Sequence, residues 1–170
     1  MKKLILLLVL ALSAGMASAQ KFAMIDMEYV LRNLPAYERA NEQLNKQSQA
    51  WEKEVDALVA AAEQLYSQYQ EQSAFLTPDN RKKVEEAIVA QEREATELRA
   101  RYFGPEGELF KKRKALMEPI QEEVYEAVKA VATAAGYQAI FDRASSQSIV
   151  FASPRIDISN EVLAKLGYSK

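Results

Sequence analysis

The chain has 170 residues, with 22 Lys and Arg against 24 Asp and Glu, and it contains neither Cys nor His. No disulfide, nucleophilic cysteine, Ser-His-Asp triad or His-ligated metal is available to it, and the commonest general base is missing. The acidic balance argues against nucleic acid as a partner, because neutralising phosphate dominates that affinity.

The first twenty residues, MKKLILLLVLALSAGMASAQ, place Lys2 and Lys3 before an apolar run from Leu4 to Leu12 that is too short to span a bilayer. Ala17-Ser18-Ala19 has the A-x-A form of a cleavage site. This predicts an export signal at residues 1–19, cut after Ala19, and a mature Gln20–Lys170 forming a single domain. Removing Lys2 and Lys3 leaves 20 basic against 24 acidic residues, a net charge of −4. The apolar run is not followed by the cysteine of a lipoprotein anchor.

KFAMIDMEYVL follows. Phe22, Met24, Ile25 and Asp26 read as a short strand. From Pro35 to Leu76 there is no glycine and no second proline, and helix formers dominate. Tyr37, Leu44, Trp51, Leu58 and Leu65 recur every seven residues. Val55, Ala62, Tyr69 and Leu76 make a second such row, so the apolar face is a narrow coiled-coil-like seam. At LTPDNRKK the helix must end. Thr77 suits an N-cap, Pro78 the first helical position, and Asp79 the positive end of a second helix that runs back along the first.

On the return helix Ile88, Ala95, Tyr102, Leu109 and Leu116 keep the seven-residue phase through FGPEG at 103–107. The unbroken phase predicts one continuous helix bent at Gly104 and Pro105, with a second bend at Pro119. Folding the hairpin at its tip near 76–79 sets Trp51 opposite Tyr102–Gly104. The apolar face continues through Met117, Ile120, Val124, Val128 and Val131 to a C-cap glycine, Gly136. Each arm of the hairpin is expected to be about 60–80 Å long. Tyr137–Arg143 and Ser148–Ala152 read as two strands around an Ala144–Gln147 turn, and DISNEVLAKLG reads as a short terminal helix starting near Ser159 and ending before Gly167.

The fold class expected is mostly α with a small β body, a long antiparallel helical hairpin projecting from it. Residues 20–34 and 136–170 make the body, and 35–135 make the arm. Three short strands and one small helix form a thin core, and with no cysteine to brace it, assembly between chains is the expected remedy.

The order of a signal, KFAMIDMEYVL, a long helical hairpin and GYQAIFDRASSQSIVFASPRIDISNEVLAKLG resembles the Skp/OmpH family of periplasmic chaperones over the whole mature chain. The two ends carry the likeness most specifically. The resemblance implies a homotrimer with a β-barrel-like core, in which Phe22, Met24, Ile25, Ile140, Phe141, Ile149 and Phe151 would lie in the trimer body. It also implies an ATP-independent holdase of the Gram-negative periplasm, with neither cofactor nor metal nor catalytic residues. Its clients would be unfolded outer-membrane β-barrel proteins, and membrane or lipid contact would be weak. Well-known members are basic and this chain is acidic, so a lipopolysaccharide site does not carry over.

Tyr66, Tyr69, Phe75 and Leu76 gather in the distal arm and exceed what a narrow seam can bury, which makes them the candidate client-binding residues. The basic run Lys111–Lys114 reads as a solvated helix face. Two other functions compete. One is a structural coiled-coil protein of the envelope that binds no clients. The other is an enzyme built on Asp26, Glu28 and Asp142, although carboxylates at strand ends are more often caps and turns.

Overall fold

The structure, a computed structural model, describes residues 21–146 and 148–168. The expected signal at 1–19 and the last residue of the expected Ala144–Gln147 turn lie outside them. In order, the elements are β1 (Lys21–Ile25), α1 (Met27–Arg32), α2 (Pro35–Gln72), a 3₁₀ turn (Ser73–Phe75), α3 (Pro78–Phe103), α4 (Glu108–Ala135), β2 (Tyr137–Asp142), a second 3₁₀ turn (Pro154–Ile156) and α5 (Ser159–Lys165). The chain is mostly helical, and it divides into two compact units. One joins the chain up to Leu34 with that from Glu122 onward. The other is Pro35–Gln121.

In the first unit β1 and β2 form a two-stranded parallel sheet, with Phe22 opposite Ala139 and Met24 opposite Phe141. On the far side of β1, Met24 bridges to Asp157, and the Ile158 amide donates to the Met24 carbonyl at 2.9 Å. β1 is therefore flanked on both edges. Ala23, Met24 and Ile25 are buried, and around them lie Val30, Val124, Ile158, Val162 and Leu163. Burying a side chain of this size is worth about 1.5–3 kcal/mol.

Polar groups tie the ends of these elements. Asp26 caps α1 by accepting from the Tyr29 amide at 2.8 Å. Asp142 accepts from the amides of Met27 and Ala144, both at 3.1 Å, which ends β2 in a turn. Ser159 is buried, and its hydroxyl is fully used: it accepts from the Asp26 amide at 2.9 Å and donates to Asp157 at 2.6 Å. Arg143 pairs with Asp26 at 3.1 Å and Asp157 at 3.5 Å. The guanidinium is about half exposed, so these pairs orient the segments more than they stabilise them.

Two expectations are corrected. First, residues 148–152 are not a strand, and no hairpin forms with β2. Val150 is 98% and Phe151 84% exposed. The apolar alternation was there, but among the described residues the segment takes up no strand pairing, and the second edge of β2 stays open. Second, the return helix is two helices. The sheet of the single chain is open, while the barrel-like core was expected of three chains together.

In the second unit α2, 38 residues or about 57 Å long, runs antiparallel to α3. Thr77 caps α3 by accepting from the Asn80 amide, and Pro78 opens it. α3 then stops at Phe103. Gly104 leaves the helix with φ −62° and ψ 168°, an extended geometry that the following proline favours. The Gly107 amide closes a turn onto the Gly104 carbonyl at 2.9 Å, and the Lys111 amide bonds back to Gly107 at 3.1 Å as α4 begins. Both glycines are required by close approach. A Cβ on Gly104 would sit 2.4 Å from the Ala100 carbonyl oxygen, and one on Gly107 2.7 Å from that of Tyr102. Pro105 follows the end of α3 instead of kinking a continuous helix, whereas α4 continues through Pro119. The seven-residue row continues across the turn, with Ile88 and Ala95 buried before it and Leu109 and Leu116 half-buried after it. The C-cap glycine Gly136 and Gly167 both take positive φ, 73° and 88°.

Gly107→Ala is expected to lower stability by about 1–3 kcal/mol, the usual cost of forcing atoms into a closed space. Urea unfolding followed by circular dichroism measures this, and a wild-type midpoint would contradict the turn geometry. The Asp26 carboxyl is held below the usual carboxylate range by the Tyr29 amide first and Arg143 second. Burial alone would raise the Asp142 carboxyl, but hydrogen bonds from Ser145, Met27 and Ala144 outweigh it and hold it low as well. Both groups therefore contribute stability that is fully present above the unfolded carboxylate range, about pH 4, and is lost as pH falls through the lower folded values. Asp26→Asn, which keeps a capping side chain, is expected to flatten the acid limb of a stability-against-pH curve. An unchanged acid limb would show that Asp26 carries no such linkage.

Candidate client-binding arm

α2 and α3 meet along the predicted seam. Leu44, Val55, Ala62, Ile88 and Ala95 are buried, while Tyr37, Trp51, Leu58 and Leu65 are half-buried. Trp51 stacks on Tyr102 with ring centroids 4.7 Å apart and planes 12° from parallel, and Phe103 meets the edge of Tyr102 at 6.3 Å. The sequence set Trp51 against this region, and the partner is the tyrosine ring. The Tyr102 hydroxyl donates to Glu54 at 2.6 Å, and that bond pushes the phenol pKa up.

The four distal candidates separate into two kinds. Tyr69 is half-buried, and its hydroxyl bonds to Glu85 across the hairpin, which raises its pKa; Leu76 is also half-buried. Tyr66 is 51% and Phe75 89% exposed. Val89 on α3 and Phe110 on α4 are exposed too. Large apolar groups therefore stand outside the seam along the helices of this unit.

Most of the cations in the two basic clusters have partners. Lys111 pairs with Glu108 at 2.9 Å, Lys114 with Glu118 at 3.4 Å, and Lys112 donates to Gln47 at 2.8 Å. Near the tip Arg81 donates to the Ser73 carbonyl at 2.8 Å, closing the 3₁₀ turn, and Lys82 pairs with Glu86. These are helix-face and capping roles.

Of the expected body residues, Met24 and Ile25 lie in the core of the first unit. Ile140 and Ile149 are half-buried, and Phe22, Phe141 and Phe151 are exposed. Phe22 and Phe141 approach each other at 6.2 Å. Asp26 and Asp142 are cap and turn residues, as their positions at strand ends imply, and Glu28 pairs with Arg32. Among the described residues no group of three or more His, Cys, Asp or Glu side chains could hold a metal, and no helix is long and apolar enough to cross a membrane. The links of Asp26 to Ser159 and Arg143 were missed from sequence, since nothing local signals that residues more than 110 positions apart will meet.

Residues 21–166 match the family described as outer membrane protein, OmpH-like. The chain is 25% identical over 159 residues to a protein named chaperone protein Skp from Pectobacterium atrosepticum, covering 94% of this chain and 93% of that one. It is 26% identical over 162 residues to the protein of that name from Yersinia enterocolitica, with the same coverage. Among solved structures, an OmpH-like outer membrane chaperone from Caulobacter crescentus shares the fold with a TM-score of 0.71 at 13% identity, over 88% of this chain and 85% of that one. The chain thus belongs to the OmpH-like family, a non-enzymatic class.

Proposed function

We propose that this protein is an ATP-independent holdase that binds unfolded outer-membrane β-barrel proteins in the Gram-negative periplasm and keeps them from aggregating. The observation that carries this reading is the arm itself. It is a long hairpin whose seam is filled by small and half-buried residues, while Tyr66, Phe75, Val89 and Phe110 stand exposed. Exposed apolar groups on a soluble surface mark sites of interaction. Many weak contacts of this kind hold a chain without a deep pocket and release it without an energy source. The Skp relatives named above are chaperones, and their likeness to this chain extends over nearly its full length.

The reading includes a homotrimer. Phe151 and Val150 are almost fully exposed beside an open sheet whose Phe22 and Phe141 also face outward. A second and third copy would cover these groups and give the 148–152 segment the strand partner it lacks, closing a barrel-like core. A purely structural coiled coil is the weaker reading, because such a seam would bury Tyr66 and Phe75.

The test is light scattering after a urea-unfolded outer-membrane β-barrel protein is diluted into buffer without ATP. Mature protein is expected to suppress the rise in scattering near one trimer per client. A Tyr66→Ser, Phe75→Ser double variant with wild-type helicity is expected to need several times more protein for the same suppression. No suppression by the wild type would contradict the holdase reading and favour the structural one.

A further inference from the structure

Beside the seam, one face of the α2–α3 hairpin carries two adjoining hollows. The larger, about 280 Å³, is lined by the buried Ala62 and Ala95 together with Val59 and the exposed Tyr66. The second, about 250 Å³, lies between Val55 and Asp56 of α2 and Phe103 of α3. Arg99 lines both. On α2 the lining residues fall at 52, 55, 56, 59, 62, 63 and 66, and on α3 at 92, 95, 96, 99 and 103. Each set is a single helical stripe, so the hollows form one trough.

Three features identify what fits it. Each hollow falls below the roughly 300–1,000 Å³ of a small-molecule site, so each suits one large side chain. Their centres are separated by about eight residues of α2, or about 12 Å along the helix axis. In an extended chain, residues i and i+4 lie about 13 Å apart and point to the same face. The rim is the third feature. Glu52, Asp56, Glu63 and Glu92 set four carboxylates against the one guanidinium of Arg99, and among the described residues Asp56, Glu63, Glu92 and Arg99 are in no ion pair. An extended strand lying in the trough turns its N–H groups sideways to such acceptors, and lysine or arginine flanking the apolar pair adds attraction.

We propose that this trough binds an extended, amphipathic segment of an unfolded polypeptide, with large apolar side chains at i and i+4 seated in the two hollows. The inference rests on the holdase reading and gives it a recognition rule. Alternation with apolar residues on one face is the pattern of a membrane-spanning β-strand, so the trough would select the clients' future lipid-facing positions.

Two lysine-flanked synthetic peptides of identical composition test this, one with phenylalanine at i and i+4 and the other at i and i+3, where the rings point to opposite faces. Binding to mature protein is read by fluorescence anisotropy of a terminal dye. The i, i+4 peptide is expected to bind about tenfold more tightly, the effect of one additional buried aromatic contact. Thr96→Trp, which fills the larger hollow from its exposed rim, is expected to remove that preference. Glu94→Trp, on the opposite face of α3, is expected to keep it. Equal binding of the two peptides by the wild type, or equal preference in the two tryptophan variants at wild-type helicity, would overturn the trough. If the wild type still suppressed aggregation in that case, the holdase reading would stand without it. Failure of the wild type to suppress aggregation would remove both.

Discussion

The pairing of β1 with β2 is the constraint on which the rest depends. It joins Ile25 to the Asp142–Arg143 end of β2, with the whole helical hairpin lying between the strands in sequence. Closing a loop of roughly 110 residues costs on the order of 4 kcal/mol in chain entropy. Burial of Met24, Ile25, Val30, Val124 and Val162 offsets this, at about 1.5–3 kcal/mol each. The Asp26, Asp142 and Ser159 hydrogen bonds set the register of the join and leave no described buried side-chain polar atom without a partner. Two parallel strands need a crossover between them, and here the crossover is the whole helical hairpin.

That arrangement separates two jobs. The first unit contains the fully buried Val30, Val124 and Val162 and the polar ties, and it fixes the ends of the arm. The second contains a seam with alanines at Ala40, Ala62 and Ala95, which lets helices approach closely but buries little area per residue. Its larger apolar side chains are left for other contacts. A holdase needs this combination of a stable base and a surface whose own packing does not use up its hydrophobic groups. The rim of the proposed trough carries four carboxylates against one guanidinium, and on the holdase reading attraction to clients would come from local contacts more than from a long-range field.

Much of the hairpin was legible in the sequence, because its signals are local. Thr77-Pro78 marks a helix start, Gly136 and Gly167 mark helix ends, and folding the hairpin at its tip set Trp51 opposite Tyr102–Gly104, where it meets the Tyr102 ring. The break at Gly104–Gly107 was hidden because the turn preserves the phase of the rows on either side, so periodicity could not distinguish a bend from a stop. The close approach of both glycines to carbonyl oxygens was the deciding fact, and it exists only in three dimensions. The 148–152 segment misled for a related reason. Alternating apolar residues show that a segment could be a strand, but not that it pairs within its own chain, and here the open edge of β2 is left unpaired. The trough was invisible as well, since alanines at seam positions signal close packing and not the hollow beside them.

The account is tested most directly by hydrogen exchange on the mature protein, alone and bound to an unfolded outer-membrane β-barrel protein. It predicts that the amides of Arg143 and Ile158, which close the first unit onto β1, exchange slowest and do not change when client binds. Amides in α2 and α3 between Glu52 and Phe103 should exchange faster in the free protein and slow on binding. Client-dependent protection confined to the first unit, with the arm unchanged, would contradict it.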